Sequence, residues 1–193
     1  MAGSAELRKI YTDAAPALRA KWGVIDLDDW LKPVAPHLHG RQILDVGAGT
    51  GRLSAHLARH ANVTAVEPVS ALWEAPGVPR IDDTLPRLAR VRGSYDLILS
   101  LGVLHHLCPR DQTHAMARMA ELTAPGGRLI LAARHGPRAR RVWPVPAERL
   151  TAPGLHRIQL SRRAAIQPGN AAQGVRFTWL VFIKTRLLRG ASG

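Results

Sequence analysis

Three groups of residues in this 193-residue chain have the types and spacing to do chemistry. The first is Ile43-Leu44-Asp45-Val46-Gly47-Ala48-Gly49-Thr50-Gly51, an apolar run ending in alternating glycines, with Glu67 and then Pro68 beginning 20 residues after Gly47. Glycines between a buried strand and a helix allow a tight turn and let a ligand approach the backbone closely. An acid at the end of the next strand can accept hydrogen bonds from both ribose hydroxyls of an adenosine. Together they predict a nucleoside ligand, with Asp45 either touching it or orienting the glycine loop. The second group is His105 and His106, whose side-chain type can take or give a proton near neutral pH. Cys108 extends them to His-His-x-Cys, but that spacing lacks a fourth ligand and predicts no metal site. The third group is Arg134, Arg138, Arg140 and Arg141. Guanidinium groups bind carboxylate or phosphate through paired hydrogen bonds.

The surrounding pattern supplies the elements that must position these groups. Leu7, Ile10, Tyr11, Leu18 and Trp22 fall near one helical face, with a break expected around residues 13–16. Leu27, Trp30, Leu31, Val34 and Leu38 repeat at three to four residues behind a cap at Asp26, although Pro33 and Pro36 oppose a continuous helix. Strands are expected at residues 42–46, 62–68, 79–82, 95–101 and 128–133. A helix is expected at 51–61. A second opens at Pro109, buries Met116, Met119 and Leu122, and stops at Ala124-Pro125-Gly126-Gly127. Strands alternating with helices make a parallel sheet with both faces covered. Residues 155–160 and 175–185 read as two further strands, joined by a loop holding Pro168, Gly169, Asn170 and Gly174, and so antiparallel to each other. The histidine pair then sits just past the fourth strand, and the arginine stretch leaves the fifth. Both are carboxyl ends, which face the ligand crevice of an open α/β sheet.

Length and composition set the outer limits. Apolar residues are 46% and charged residues 21%, as in a globular protein. The chain reads as one domain, 1–193: N-terminal helices over the site (1–40), a ligand-binding core (41–134) and a basic C-terminal part with the last two strands (135–193). A single cysteine excludes a disulfide framework. No apolar run approaches the ~18 residues of a membrane helix, and the N-terminus lacks the apolar core of a signal peptide. A cytoplasmic protein with no membrane partner is expected. The formal net charge is +13, carried by 23 Arg and four Lys among the basic residues. Residues 1–127 hold 14 basic and 13 acidic residues, whereas residues 128–193 hold 13 basic residues and one acid, Glu148. That asymmetry points to an anionic partner.

The glycine motif departs from the dinucleotide fingerprint G-x-G-x-x-G, because Arg52 stands at its third position and glycine falls at Gly51. G-x-G-x-G after Asp45 resembles the first motif of the class I S-adenosylmethionine-dependent methyltransferases. Tyr95 to Leu107 (YDLILSLGVLHHL) looks like that family's fourth-strand motif, and Leu122 to Leu131 (LTAPGGRLIL) like its fifth. The resemblance covers roughly residues 38–185. It implies a Rossmann-like, doubly wound, mostly parallel seven-stranded sheet with a C-terminal antiparallel hairpin. It implies S-adenosylmethionine as cofactor and S-adenosylhomocysteine as product. The implied cofactor contacts are Tyr11, Asp45, Gly47, Ala48, Gly49, Gly51, Glu67, Pro68, Asp82 or Asp83, Ser100, Leu101 and Gly102. The implied catalytic base is His105 or His106. Arg134, Arg138, Arg140 and Arg141 would bind the acceptor, a small anionic or carrier-bound molecule methylated on O, N or C. The alternatives are RNA or another acidic macromolecule such as a carrier protein, or cofactor binding without transfer. Ser100-Leu101-Gly102, in place of the Asn-Pro-Pro-aromatic sequence of base-amino methyltransferases, argues against nucleic acid.

Overall fold

The seven residues Tyr95–Leu101 (β4) are apolar except at Asp96 and Ser100, and they form a central strand with Leu97, Ile98 and Leu99 fully buried. Alternate residues of such a strand serve opposite faces, and the packing follows that rule. Ile98 joins Leu44, Leu129, Leu131 and Phe182 on the face covered by Met116 and Met119. Leu97 and Leu99 join Ile43, Ile130, Trp179 and Val181 on the face covered by Leu31, Val34 and Leu57.

In this computed structural model, residues 2–137 and 142–185 are described. The other strands are Gln42–Val46 (β1), Asn62–Val66 (β2), Arg80–Ile81 (β3), Thr123–His135 (β5), Leu155–Ala164 (β6) and Arg176–Lys184 (β7). Their order is β3-β2-β1-β4-β5-β7-β6. β1 to β5 are mutually parallel, and β7 is antiparallel to both β5 and β6. The terminal hairpin is therefore present, as expected. Its second strand inserts between β5 and the first, so β6 runs parallel to the other five and β7 alone is reversed. The order doubles back between β1 and β4, which opens a crevice at their carboxyl ends.

The helices are Ala2–Asp13 (α1), Ala15–Gly23 (α2), Leu27–Leu31 (α3), Arg52–Leu57 (α4), Pro109–Leu122 (α5) and Pro168–Ala172 (α6). The break between α1 and α2 falls at Ala14, inside the expected interval. Asp26 caps α3 by accepting from the amides of Asp28 and Asp29. Pro33 then ends regular hydrogen bonding, and Lys32–His37 continues as a tighter helix containing Pro36. α4 is shorter than the pattern suggested. β5 begins five residues before the expected 128, because Thr123 pairs with Tyr95 and the register slips before Leu97. Gly127 makes that passage possible, since a Cβ there would lie 2.9 Å from the Ala124 carbonyl oxygen and 3.0 Å from those of Tyr95 and Asp96.

Four of the 13 basic residues in 128–193, namely Arg157, Arg162, Arg163 and Lys184, have partners within the fold. Arg163 clasps the Asp29 carboxylate through both oxygens, at 2.8 and 2.7 Å, and ties β6 to α3. Arg162 reaches the Glu148 carboxylate at 2.6 Å, and Arg157 the Glu148 carbonyl at 2.7 Å. Lys184 donates to the carbonyls of Ala120 and Thr123, each at 2.7 Å, where the C-terminus of α5 leaves acceptors open. Charges along the edge strand β6 also discourage pairing with another sheet. No helix among the described residues is long and apolar enough to cross a membrane.

Trp179 anchors the face that carries α3. It is wholly buried and packs edge-on against Trp30 at 4.9 Å, which in turn meets Phe177 at 4.7 Å. Trp179→Ala is expected to cost about 3–5 kcal/mol, read as a lower urea midpoint. A loss below about 1 kcal/mol would mean that this face repacks without it.

Candidate active site

The glycine loop is built where β1 hands over to α4. The amides of Gly47 and Ala48 both donate to the Val66 carbonyl, at 2.8 and 3.1 Å, which ties the turn to the end of β2. Gly47 and Gly51 have φ of +75° and +80°. Both are also crowded: a Cβ on Gly47 would lie 2.4 Å from Val103 Cγ2, and one on Gly51 would lie 2.7 Å from Ala75 and Trp73. Glu67 holds the loop from the other side. Its Oε2 accepts from the Gly49 amide at 2.8 Å and its Oε1 from the Val69 amide at 2.8 Å. Burial pushes the Glu67 carboxyl above its usual range, and those two amides oppose the shift. Asp45 is buried beneath the loop and accepts from Ser54 Oγ at 2.6 Å; burial raises its pKa to about 6. Its hydrogen-bond partner is thus on α4, although the residue also lines the cleft.

The chain leaves β4 through Leu101 and Gly102 and then makes a short helical turn, Leu104–His106. His105 is buried, and its Nδ1 has no hydrogen-bond partner among the described residues. Burial, His106 and Arg134 hold its pKa down to about 3, so the ring stays neutral. The neighbouring ring differs: Nε2 of His106 lies 2.9 Å from the Tyr11 hydroxyl, with the two rings edge-on at 5.5 Å. Tyr11 comes from α1. Trp22, from α2, stands 6.4 Å from it and lies over the glycine loop, 3.2 Å from where a Gly49 Cβ would be. Arg52 donates to the carbonyls of Trp22 and Ile25 and so pins the end of α2 beside the loop.

These groups line one cleft of about 1880 Å³, larger than the ~300–1,000 Å³ of a typical single-ligand pocket. Of the expected contacts, Tyr11, Asp45, Gly47, Ala48, Gly49, Glu67, Pro68, Leu101, Gly102, His105, His106 and Arg134 all line it. Gly51 supports the turn behind it. Asp83 lines it as well, with its carboxylate accepting from the amides of Thr84 and Arg90. Asp82 instead pairs with Arg8 at 3.1 Å. Ser100 is buried and absent from the cleft wall. Arg138, Arg140 and Arg141 lie outside the described residues. The Arg134 side chain has no hydrogen bond or ion pair among the described residues; its charge adds to the burial that lowers the His105 pKa and opposes the rise that burial and Glu67 give Tyr11.

Sequence reasoning missed two wall residues, Trp22 and Trp143, and the buried Gln112 that supports Trp143's neighbour Pro144. Trp22 was read only as a helical core position. Trp143, 45% exposed, is held by its amide to the His105 carbonyl at 2.8 Å. Gln112 is buried and donates to the carbonyls of Leu107 and Pro144, each at 3.0 Å, fastening that segment to the turn after β4. Only tertiary placement distinguishes these residues from ordinary core.

A family model for the methyltransferase domain matches residues 44–129, from β1 through the glycine loop into β5. That match falls on the stretch that builds the glycine loop and the histidine pair, and it covers less than half of the chain. A ubiquinone biosynthesis O-methyltransferase from Erwinia tasmaniensis is 34% identical over 114 residues, which is 53% of this chain and 46% of that protein. An uncharacterized methyltransferase from Mycobacterium bovis is 31% identical over 128 residues, or 63% and 46% of the two chains. The chain thus spans about half the length of the curated relatives it matches. Among solved structures, magnesium protoporphyrin IX methyltransferase from Synechocystis with bound S-adenosylhomocysteine superposes with a TM-score of 0.69. The match has 16% identity and covers 95% of this chain and 100% of that one. The cofactor of the family is S-adenosylmethionine. The cleft has a cradle suited to it: a loop with no room for Cβ atoms beside a buried carboxylate already fixed by two amides.

Two predictions concern this loop. Gly47→Ala should destabilise the protein by about 1–3 kcal/mol through strain and contact with Val103. Adding Val103→Ala should recover part of the loss in urea unfolding, and no recovery would leave backbone strain as the sole cause. Asp45 holds its proton to about pH 6 in the folded state, well above an unfolded carboxyl. The stabilisation from that proton is complete below the unfolded pKa and is lost as pH rises through the folded one. Asp45→Asn should therefore be more stable than the parent at pH 8, by no more than about 3 kcal/mol. The gap should close between pH 6 and 4, followed by thermal unfolding; a constant gap would show that Asp45 ionises normally.

Proposed function

We propose that the chain is an S-adenosylmethionine-dependent methyltransferase acting on a small anionic acceptor. One observation carries this reading: one cleft joins the glycine loop and Glu67 to His106 and to an Arg134 that has no acidic partner among the described residues. The cofactor, when bound, supplies a methyl group already activated as a sulfonium. The Gly47–Gly51 turn and Glu67 would hold its adenosine half, with Asp83 near the adenine. Tyr11 and Trp22 cover the loop and exclude water. Arg134 would receive the acceptor's carboxylate or phosphate, orienting its nucleophilic atom.

The basic C-terminal part favours a small acceptor over a nucleic acid, because Arg157, Arg162, Arg163 and Lys184 already have partners within the fold. A second reading, cofactor binding without methyl transfer, has one specific support. A 4+2 cyclase shares the fold with a TM-score of 0.69 at 14% identity, over 94% of this chain and 96% of that one.

Calorimetry should show S-adenosylhomocysteine binding to the parent and equally to Arg134→Ala. Across acceptors that differ only in a carboxylate or phosphate, with RNA as a further member, Arg134→Ala should raise KM for the anionic member about 10- to 100-fold, the worth of a charged hydrogen bond. Equal turnover across the panel in both proteins would remove the anionic acceptor. Binding without any release of S-adenosylhomocysteine in a metabolite extract would favour the second reading.

A further inference from the structure

We propose that the acceptor is an aromatic acid, and that Trp143 is the residue that selects its ring. The proposal rests on the methyl-transfer reading of the cleft. Four large apolar side chains stand exposed among the described residues: Ile10, Val24, Trp143 and Ile158. Of these, Trp143 alone lines the cleft.

The neighbours of Trp143 enforce its exposure. Its amide donates to the His105 carbonyl at 2.8 Å. The carbonyl of Pro144 accepts from the buried Gln112 at 3.0 Å, and Val145 and Ala147 belong to the core. The backbone is thus fastened at the tryptophan and just after it, while the ring stays out of the core. A loosely held indole would collapse onto apolar surface, whereas this one keeps a face open to the cleft. A wall set in place beforehand loses little freedom when a ligand covers it.

The chemistry of the ligand follows from what else flanks the same turn. The charge of Arg134 reaches His105, whose carbonyl holds Trp143. Phe177 stands opposite Arg134 in the β5–β7 register and also lines the cleft. Trp30 braces it edge-on at 4.7 Å, and its ring edge lies 3.8 Å from where a Gly102 Cβ would be, at the exit of β4. A cation with no acidic partner among the described residues thus lies between aromatic walls. Trp143 alone could attract an ammonium through its π face, but Arg134 repels one. Arg134 takes a carboxylate or phosphate through paired hydrogen bonds, and an open indole face is best covered by a flat ring. The ligand that satisfies both residues carries an anionic group and a planar ring. A cleft of about 1880 Å³ has room for it beside the cofactor.

The test needs no turnover. Calorimetry on the full chain, saturated with S-adenosylhomocysteine, compares naphthoate with its fully saturated decahydro analogue. The parent should bind naphthoate about 5- to 10-fold more tightly, the worth of a stacked ring. Trp143→Ala should bring the two analogues within about twofold of each other, and Trp143→Phe should keep most of the preference. Arg134→Ala should weaken both analogues alike, by about 10-fold or more. Equal binding of the two by the parent, a preference that survives Trp143→Ala, or no binding of naphthoate at millimolar concentration would each overturn the proposal and leave methyl transfer standing. S-adenosylhomocysteine should bind Trp143→Ala as it binds the parent, which shows the fold intact. A selective loss of that binding in Trp143→Ala, with Trp143→Phe unaffected, would make Trp143 a cofactor wall and overturn the proposal. No S-adenosylhomocysteine binding by the parent would remove the methyl-transfer reading itself, and the proposal with it.

Discussion

A carboxylate taken out of water must be met by donors, and the site is organised around how Glu67 meets that demand. Its two oxygens take the amide of Gly49, just past β1, and of Val69, just past β2. One side chain thereby fixes the exits of two neighbouring parallel strands relative to each other. The Gly47 and Ala48 amides repay the link by donating to the last residue of β2, Val66. Trp22, Arg52 and the end of α2 all take their positions from the loop so fixed. Without Glu67 the Gly47 and Ala48 amides would still tie the turn to β2, but the Gly49 and Val69 amides would lose their shared acceptor.

The parts of this site that were legible in the sequence are those where the backbone leaves few choices. Positive φ and close contacts require glycine at Gly47 and Gly51, so the loop announces itself. An acid at the end of the next strand is legible for the same reason, since strand length fixes where it falls. Long-range partners are not. The Arg163–Asp29 clasp joins residues 134 positions apart, and in the sequence both were simply charges in a basic and a neutral stretch. Arg52 looked like a departure from a glycine pattern, whereas it serves as the clamp on α2. Asp82 and Asp83 could not be separated from sequence because they are adjacent and identical; the fold turns one to Arg8 and leaves the other on the cleft wall. Ser100, expected near the ligand, points instead into the buried face. The extension of β5 through Ala-Pro-Gly-Gly escaped notice because those residues usually end pairing, and here an irregular register lets pairing resume.

The site also separates two chemically identical side chains by environment. His105 and His106 are adjacent, with ring centres 4.0 Å apart. Burial makes the first a fixed neutral spacer, while the second faces a tyrosine from another element. The two acids divide in the same way: Asp45 turns to Ser54 beneath the loop, and Glu67 turns to the loop's own amides.

The place of β7 has a consequence for how the molecule is made. The last strand in the sequence lies between β5 and the outermost strand β6. While the chain emerges from the ribosome, β6 is complete before the strand it must pair with exists. Until β7 follows, β5 presents an unpaired edge rich in Leu129, Ile130 and Leu131, the kind of edge that invites association with other chains. Only β7 closes that edge, and β6 joins the sheet only through β7. The sheet is thus sealed late, by the one strand that runs the other way.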